Sequence, residues 1–324
     1  MWNRANGIEP DPQFEVKIAT VDGQPVMANN QVPIMPHCSI NDVEAVDLII
    51  IPSQGMDICL EGPDFEQRVE WVKHWYERGA NIASACSGVF TLAATGLLDG
   101  KTATTHWGAE KMFKELFPKV TLRTDLMVTH EERLFCGGGM TAEFNLALYL
   151  VRFFCGREIA IQSSRCTLVE MDKMSQTTFS VFTPEKLHQD DDMLSVQDWM
   201  EDNLSQSISV ELLASRVNMS PRHFNRRFKK ATGETALNYL QLIRIEAAKK
   251  QLEATEMAFD DIAFNLGYTN VSFFRSIFKR STGLTPMEYK NKFPQYLTVK
   301  GSVRYQKFPK GHVVEANTEE AVIA

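Results

Sequence analysis

What this sequence lacks narrows it first. No apolar run approaches the roughly 20 residues that a membrane-spanning helix needs, and the N-terminus has no basic, apolar and small-residue succession of a signal peptide. Both absences predict a cytoplasmic protein with no membrane partner. Cysteine is sparse: six residues, at 38, 59, 86, 136, 155 and 166, with no C-x-x-C pair. That pattern excludes a disulfide framework and a structural zinc site, so reduced thiols and no metal or cofactor are expected. A chain of 324 residues with 44% apolar content is too long for one typical domain and can bury two cores.

Charge is unevenly divided. The total is −7, yet residues 195–296 hold 14 Lys+Arg against 11 Asp+Glu, a net of +3 that leaves −10 to the rest. Five basic residues, Arg222, Arg226, Arg227, Lys229 and Lys230, fall within nine positions. Phosphate attraction depends on such a local patch, not on the overall charge.

That basic cluster belongs to an element present twice. Phe224, Phe228, Lys229, Thr232, Gly233, Thr235 and Tyr239 recur fifty residues on as Phe274, Phe278, Lys279, Thr282, Gly283, Thr285 and Tyr289. Upstream the match continues at an offset of forty-nine, where Leu213, Ala214, Val217 and Ser220 correspond to Ile262, Ala263, Leu266 and Thr269. A one-residue change of length in the turn accounts for the slip.

Each copy reads as helix, tight turn, helix. In the first, Leu212, Leu213 and Val217 form a short apolar stripe, Asn218 and Met219 make the turn, and Ser220 with Pro221 starts the second helix. Gly233 stops it. Phe224 and Phe228, spaced i and i+4, pack on one face, which turns Arg222, Asn225, Arg226 and Lys229 outward. Arg can bridge guanine O6 and N7, and Asn adenine N6 and N7, so an exposed helix of this composition suits the major groove.

Residues 192–293 resemble the DNA-binding domain of the AraC/XylS family of transcription regulators, most plainly in GYTNVSFFRSIFKRSTGLTPMEY (267–289). The resemblance implies an all-α domain of two helix-turn-helix subdomains joined by a long helix over 236–254, with double-stranded operator DNA as partner. The implied reading residues are Arg222, Asn225 and Arg226, with Lys229 beside them, in the first copy. In the second they are Val271, Ser272, Arg275 and Ser276, which carry less information.

Residues 1–165 alternate strand and helix patterns, which implies a mainly parallel, doubly wound α/β sheet of flavodoxin-like type. Expected strands are 14–21, 48–51 (all apolar, suited to burial on both faces) and 81–85. Expected helices are 64–79, capped by Asp64, then 87–95 and 141–155. In IASACSGVF (82–90) a small-residue strand turns through Cys-Ser-Gly into a helix, as at a nucleophile elbow, where a thiolate would be favoured.

This half resembles the class I glutamine amidotransferase-like domains of the PfpI group, and AATGLLDGKTATTHW (93–107) narrows the likeness to GlxA-type regulators. Such proteases carry histidine directly after the cysteine; here that residue is Ser87, so Cys86 and His106 are vestigial candidates for catalysis. Ligand binding at the strands' carboxyl ends is the expected use, with Gly55, Cys86, Ser87, His106 and Gly138 at that edge. The resemblance implies a small effector of the amino acid or quaternary amine class, a homodimer, and RNA polymerase as a further partner. A cysteine-dependent amidase or hydrolase using Cys86 is the alternative.

The family's opening strand is missing from MWNRANGIEPDPQ, which resembles the end of the first helix; the reading here is a late start or a lost strand. The expected division is a sensor over 1–170, a linker over 171–191 in which Phe179 and Phe182 could dock on the sensor, a DNA reader over 192–293, and a poorly ordered tail over 294–324. Asp190 to Asp192 is expected to be a solvated helix start. The whole is read as a cytoplasmic, effector-controlled transcription regulator, in the activating mode that is commoner in the family.

Overall fold

The computed structural model describes residues 14–28, 31–55, 58–171 and 175–294. The expectations for the opening segment and for the tail beyond 294 lie outside the described residues. Among the described residues no helix is long and apolar enough to cross a membrane.

The N-terminal half begins with short strands β1 (Ala19–Thr20), β2 (Val26–Met27), β3 (Pro33–Ile34) and β4 (Cys38–Ser39), β1 pairing parallel with β4 and β2 antiparallel with β3. The strand expected over 14–21 is therefore mostly irregular. Phe14, Val16 and Ile18 stay exposed, and Phe14 rests edge-on against Phe154 at 6.1 Å.

The main sheet follows the order β5 (Leu48–Ile51), β6 (Asn81–Ala85), β10 (Leu134–Gly137), β9 (Val128–Glu131). The first three are parallel and β9 runs antiparallel at the edge. Strands β7 (Thr102–Ala103) and β8 (Thr121–Leu122) form a small parallel pair. Because side chains alternate, Ile49, Ile51, Ile82 and Leu134 pack into one core with Val72, Phe90 and Phe113, while Ala83, Ala85 and Phe135 pack against Leu146 and Leu150 on the other face. Each fully buried Phe here contributes about 1.5–3 kcal/mol.

Helices α1 (Pro63–Glu77), α2 (Gly88–Ala94), α3 (Glu110–Leu116), α4 (Ala142–Cys155) and α5 (Arg157–Thr167) complete this half. Two expectations change. The α1 cap is Gly62 with Pro63 behind it, and Asp64 lies in the first turn without a capping bond. Ile50 is 55% exposed on β5, which ends the sheet among the described residues, so that strand is not buried along both faces; on the side of Ile50 only Leu48 packs against a core.

The C-terminal half is helical: α6 (Asp191–Asp202), α7 (Val210–Arg216), α8 (Pro221–Thr232), α9 (Ala236–Ala254), α10 (Phe259–Asn265), α11 (Val271–Thr282) and α12 (Pro286–Lys292). The repeated residues build the same local structure twice. Phe224, Phe228 and Tyr239 are fully buried in one core; Phe274, Phe278 and Tyr289 are their buried counterparts in the next. Thr232 Oγ1 donates to Phe228 O at 2.9 Å and Thr282 Oγ1 to Phe278 O at 2.8 Å, closing each helix before a left-handed glycine. Thr235 and Thr285 then cap the next helix, accepting from Asn238 N and Glu288 N, each at 3.3 Å.

The turns explain the slip in the repeat. Asn218 and Gly267, forty-nine apart, are the left-handed residues, whereas the caps Ser220 and Asn270 are fifty apart. The cap equivalent to Ser220 is thus Asn270 and not Thr269. The inserted residue lies between the left-handed position and the cap.

Candidate nucleic-acid interface and ligand crevice

Helix α8 starts at Ser220, whose Oγ accepts from His223 N at 3.4 Å, with Pro221 at its first position. Because Phe224 and Phe228 face the core, Arg222, Arg226, Lys229 and Lys230 are exposed, and none has a hydrogen-bond or ion-pair partner among the described residues. Asn225 is half-buried. Arg227 departs from the cluster: it bonds Asp190 through Nε at 2.7 Å and Nη2 at 2.8 Å, and Asp192 through Nη1 at 2.8 Å. Two members of the acidic run therefore tie α8 to the start of α6 instead of being merely solvated.

On α11 the expected reading residues are less free. Val271 is half-buried against the second core, Ser276 Oγ is bonded to Phe273 O at 2.8 Å, and Arg275 pairs with Asp260 at 2.5 Å; Ser272 is exposed. Phe273, which sequence reasoning passed over, is 53% exposed on the same helix, and an apolar ring can meet a thymine methyl.

Arg244 of α9, 6% exposed, joins the two helical units. It donates to Leu204 O at 3.0 Å and Gln206 O at 2.7 Å and lies 5.0 Å from the centroid of the Tyr268 ring. Burial lowers its pKa from the ordinary value, and the two carbonyls take two of its N–H donors. No local pattern marks this arginine, because its partners lie some forty residues away.

The linker corrects another expectation. Phe182 meets Tyr239 edge-on at 5.6 Å and Phe179 meets Phe293 at 5.9 Å, so both dock on the helical half, not on the sensor. Apolar surface around Tyr239 and Tyr289 was the better acceptor.

In the α/β half, the carboxyl ends of β5, β6 and β10 bring the predicted residues together. Cys86 is buried with φ of +50°, in the left-handed region that a non-glycine residue enters at a cost. Its N donates to Gly137 O at 3.1 Å and Gly138 O at 3.2 Å, and its O accepts from Thr105 Oγ1 at 2.8 Å. Ser87 Oγ accepts from Gln54 N at 2.8 Å and shares a 3.2 Å bond with Ser53 Oγ, which in turn accepts from Gly55 N at 3.4 Å. Ser87 is therefore committed to fixing this loop.

His106 lies over Gly139, where a Cβ would fall 1.9 Å from its Cδ2. Its Nδ1 accepts from Gly108 N at 3.0 Å, which places the proton of the neutral ring on Nε2. Burial lowers its pKa from 6.5. The lone pair that a general base would use is thus already engaged.

Gln176 is the residue sequence reasoning missed. It comes from the linker, is 3% exposed, and inserts beside Thr104, Thr105, Gly138 and Gly139. A glutamine in a polar stretch gives no local signal of such burial. Of the cysteines treated as packing residues, Cys136 is buried, and burial pushes its thiol up; Cys59 and Cys166 are exposed, and none of the six forms a disulfide.

Comparison with known proteins bears on both halves. Residues 213–292 match the family described as a helix-turn-helix domain, and residues 8–152 match the DJ-1/PfpI family. The chain is 26% identical over 285 residues to the HTH-type transcriptional regulator GbdR of Pseudomonas aeruginosa (strain UCBPP-PA14), covering 88% of this chain and 77% of that protein. Identity to the HTH-type transcriptional regulator GlxA of Rhizobium meliloti is 27% over 209 residues, 64% of each chain. The chain is also 29% identical over 151 residues to an isonitrile hydratase of Pseudomonas putida, covering 46% of this chain and 63% of the enzyme.

Proposed function

We propose that this chain, which matches a helix-turn-helix family over 213–292 and the DJ-1/PfpI family over 8–152 and resembles HTH-type transcriptional regulators, binds a specific double-stranded operator under control of a small effector. The division we adopt is a sensor over 1–170, a linker over 171–191 and a reader over 192–293. The observation that carries the reading is α8, whose Arg222, Arg226 and Lys229 are exposed and unpaired among the described residues while its aromatic face is fully buried. Helix α11, with Ser272, Arg275 and the rim of Val271 and Ser276, supplies the second set of contacts in the neighbouring groove. Most base discrimination then comes from α8.

The effector site is the crevice at Cys86, His106 and Gly138, with amino acids or quaternary amines as its class. Dimerisation through the sensor would extend the DNA contact, and activation would proceed through RNA polymerase. Location in the cytoplasm follows from this role. The rival reading, a hydrolase using Cys86, draws on the similarity to an enzyme, but His106 lacks a free lone pair toward a nucleophile and Ser87 stands where the proteases carry histidine.

Selection of bound sequences from random DNA, followed by binding isotherms for the wild type and Cys86→Ala, tests this. An enriched motif bound equally well by both proteins, with no turnover of amides or isonitriles, is the expected result. Absence of any enriched motif, or turnover lost in Cys86→Ala, would overturn it.

A further inference from the structure

The segment from Ser175 to Phe182 is held at both ends. On the sensor side Gln176 Nε2 lies 3.2 Å from Thr104 Oγ1, 2.9 Å from Thr105 O and 2.8 Å from Leu126 O, and its Oε1 accepts from Gly139 N at 3.5 Å. Its backbone N donates to Asp125 O at 2.9 Å, and Ser175 bridges to Leu126. A Cβ on Gly138 would stand 2.5 Å from Gln176 Nε2, so the slot closes on the amide through bare backbone.

On the reader side Thr178 Oγ1, two residues on, donates to Thr282 O at 2.9 Å, at the end of α11. Lys249 Nζ donates to Ser180 O at 2.7 Å, and Phe182 N to Glu246 Oε1 at 3.1 Å. One short strap therefore joins the rim of the crevice to the helix proposed to enter DNA.

The slot's chemistry is specific. Three oxygen acceptors converge where Gln176 presents two N–H groups, and the Gly139 N–H faces its carbonyl. Thr104 and Thr105 are fully buried, and the Thr104 hydroxyl spends its proton on Leu126 O at 2.8 Å and reaches Thr105 O only at 3.5 Å, so Thr105 O gains a well-placed donor only if one is brought in. A primary ammonium or carboxamide supplies such donors, and an adjoining carbonyl or carboxylate takes the Gly139 N–H. A quaternary ammonium has no N–H and leaves Thr105 O without that donor.

We propose that this slot is an effector subsite which the chain fills with its own Gln176, and that a small molecule with a primary ammonium or carboxamide displaces it and releases the strap from α11. The proposal rests on the effector-sensing reading above and narrows it to N–H-bearing head groups. Competition by a tethered group lowers apparent affinity by the fraction of time the slot is filled.

The test uses the full chain, with glycinamide and L-glutamine as probes and trimethylglycine as the probe lacking N–H. Gln176→Ala removes the competitor, so both N–H-bearing probes should bind it several-fold more tightly than the wild type, while trimethylglycine gains nothing. Weaker binding to Gln176→Ala, no binding of either N–H-bearing probe to it, or an equal gain for trimethylglycine overturns the assignment. Gln176→Glu keeps the shape but sets a carboxylate against three oxygens; hydrogen exchange at the Gln176 and Phe182 amides should then rise together, by about tenfold or more for a lost buried bonding set. Thr178→Val should speed Phe182 and leave Gln176 slow. Unchanged exchange at Phe182 in both variants refutes the coupling. These readouts need no DNA, so failure of operator binding alone would count against the regulator reading and not against the slot.

Discussion

Gly267 offers the sharpest test of how the two helical units are held together. It has φ of +78°, and a Cβ there would stand 2.7 Å from Ser205 O and 2.9 Å from Arg244 Nη2. An L-residue forced into the left-handed region costs about 1–2 kcal/mol, and crowding a packed site adds about 1–3 kcal/mol. Because Ser205 O is backbone, the crowding cannot be relieved by rotating a side chain. Gly267→Ala should therefore cost about 2–5 kcal/mol in all. Asn218 is the equivalent residue of the first copy, with φ of +53°. There Asn218→Ala should cost only about 1 kcal/mol and Asn218→Gly almost nothing. Urea unfolding of the full chain followed through Trp199 fluorescence, with the remaining tryptophans replaced, measures each difference at constant m. Equal destabilisation by Gly267→Ala and Asn218→Ala would show that the contact with Ser205 and Arg244 is unimportant, and the argument for a fixed pair of units would go with it.

Three further outcomes are expected. Arg226→Ala should weaken operator binding by about 1–3 kcal/mol and relax specificity at one base, whereas Lys229→Ala should weaken binding to all sequences and reduce the salt slope by about 1; isotherms at several salt concentrations separate them. Arg227→Ala should leave base preference unchanged and lower stability only slightly, since its ion pairs with Asp190 and Asp192 are partly exposed and screened by solvent; a changed sequence preference would contradict this. For His106, a folded-state pKa below 6.5 means that the unfolded chain binds its proton first, so the stability it contributes is present above pH 6.5 and is lost as pH falls toward the depressed value. Melting curves from pH 8 to 5 should show the wild type losing stability relative to His106→Asn, whose side-chain oxygen keeps an acceptor for Gly108 N; parallel curves would refute it.

Much of the helical half was legible because its determinants are local. Thr-Gly stops, Ser-Pro and Thr caps and Phe pairs at i, i+4 act within a turn or two, so the long helix spans Ala236–Ala254 as read and the repeat reappears as two near-identical bonding patterns. Strands 48–51 and 81–85 were equally plain, since an apolar or small-residue run between polar turns has few other solutions. Prediction over 14–21 failed because an extended segment becomes a strand only where a neighbour pairs with it.

What the sequence alone determined, then, was the alternation that makes the α/β half, the duplicated helix–turn–helix pattern, and the outward face of α8. Tertiary structure decided which of those charges stay free and which are spent on packing. Arg226 and Arg227 are adjacent in sequence and alike in chemistry, yet one is exposed and the other clasps Asp190 from thirty-seven residues away. Gln176, Arg244 and the docking of Phe179 and Phe182 belong to the same class. Each depends on a partner far along the chain, and only folding sets those distances.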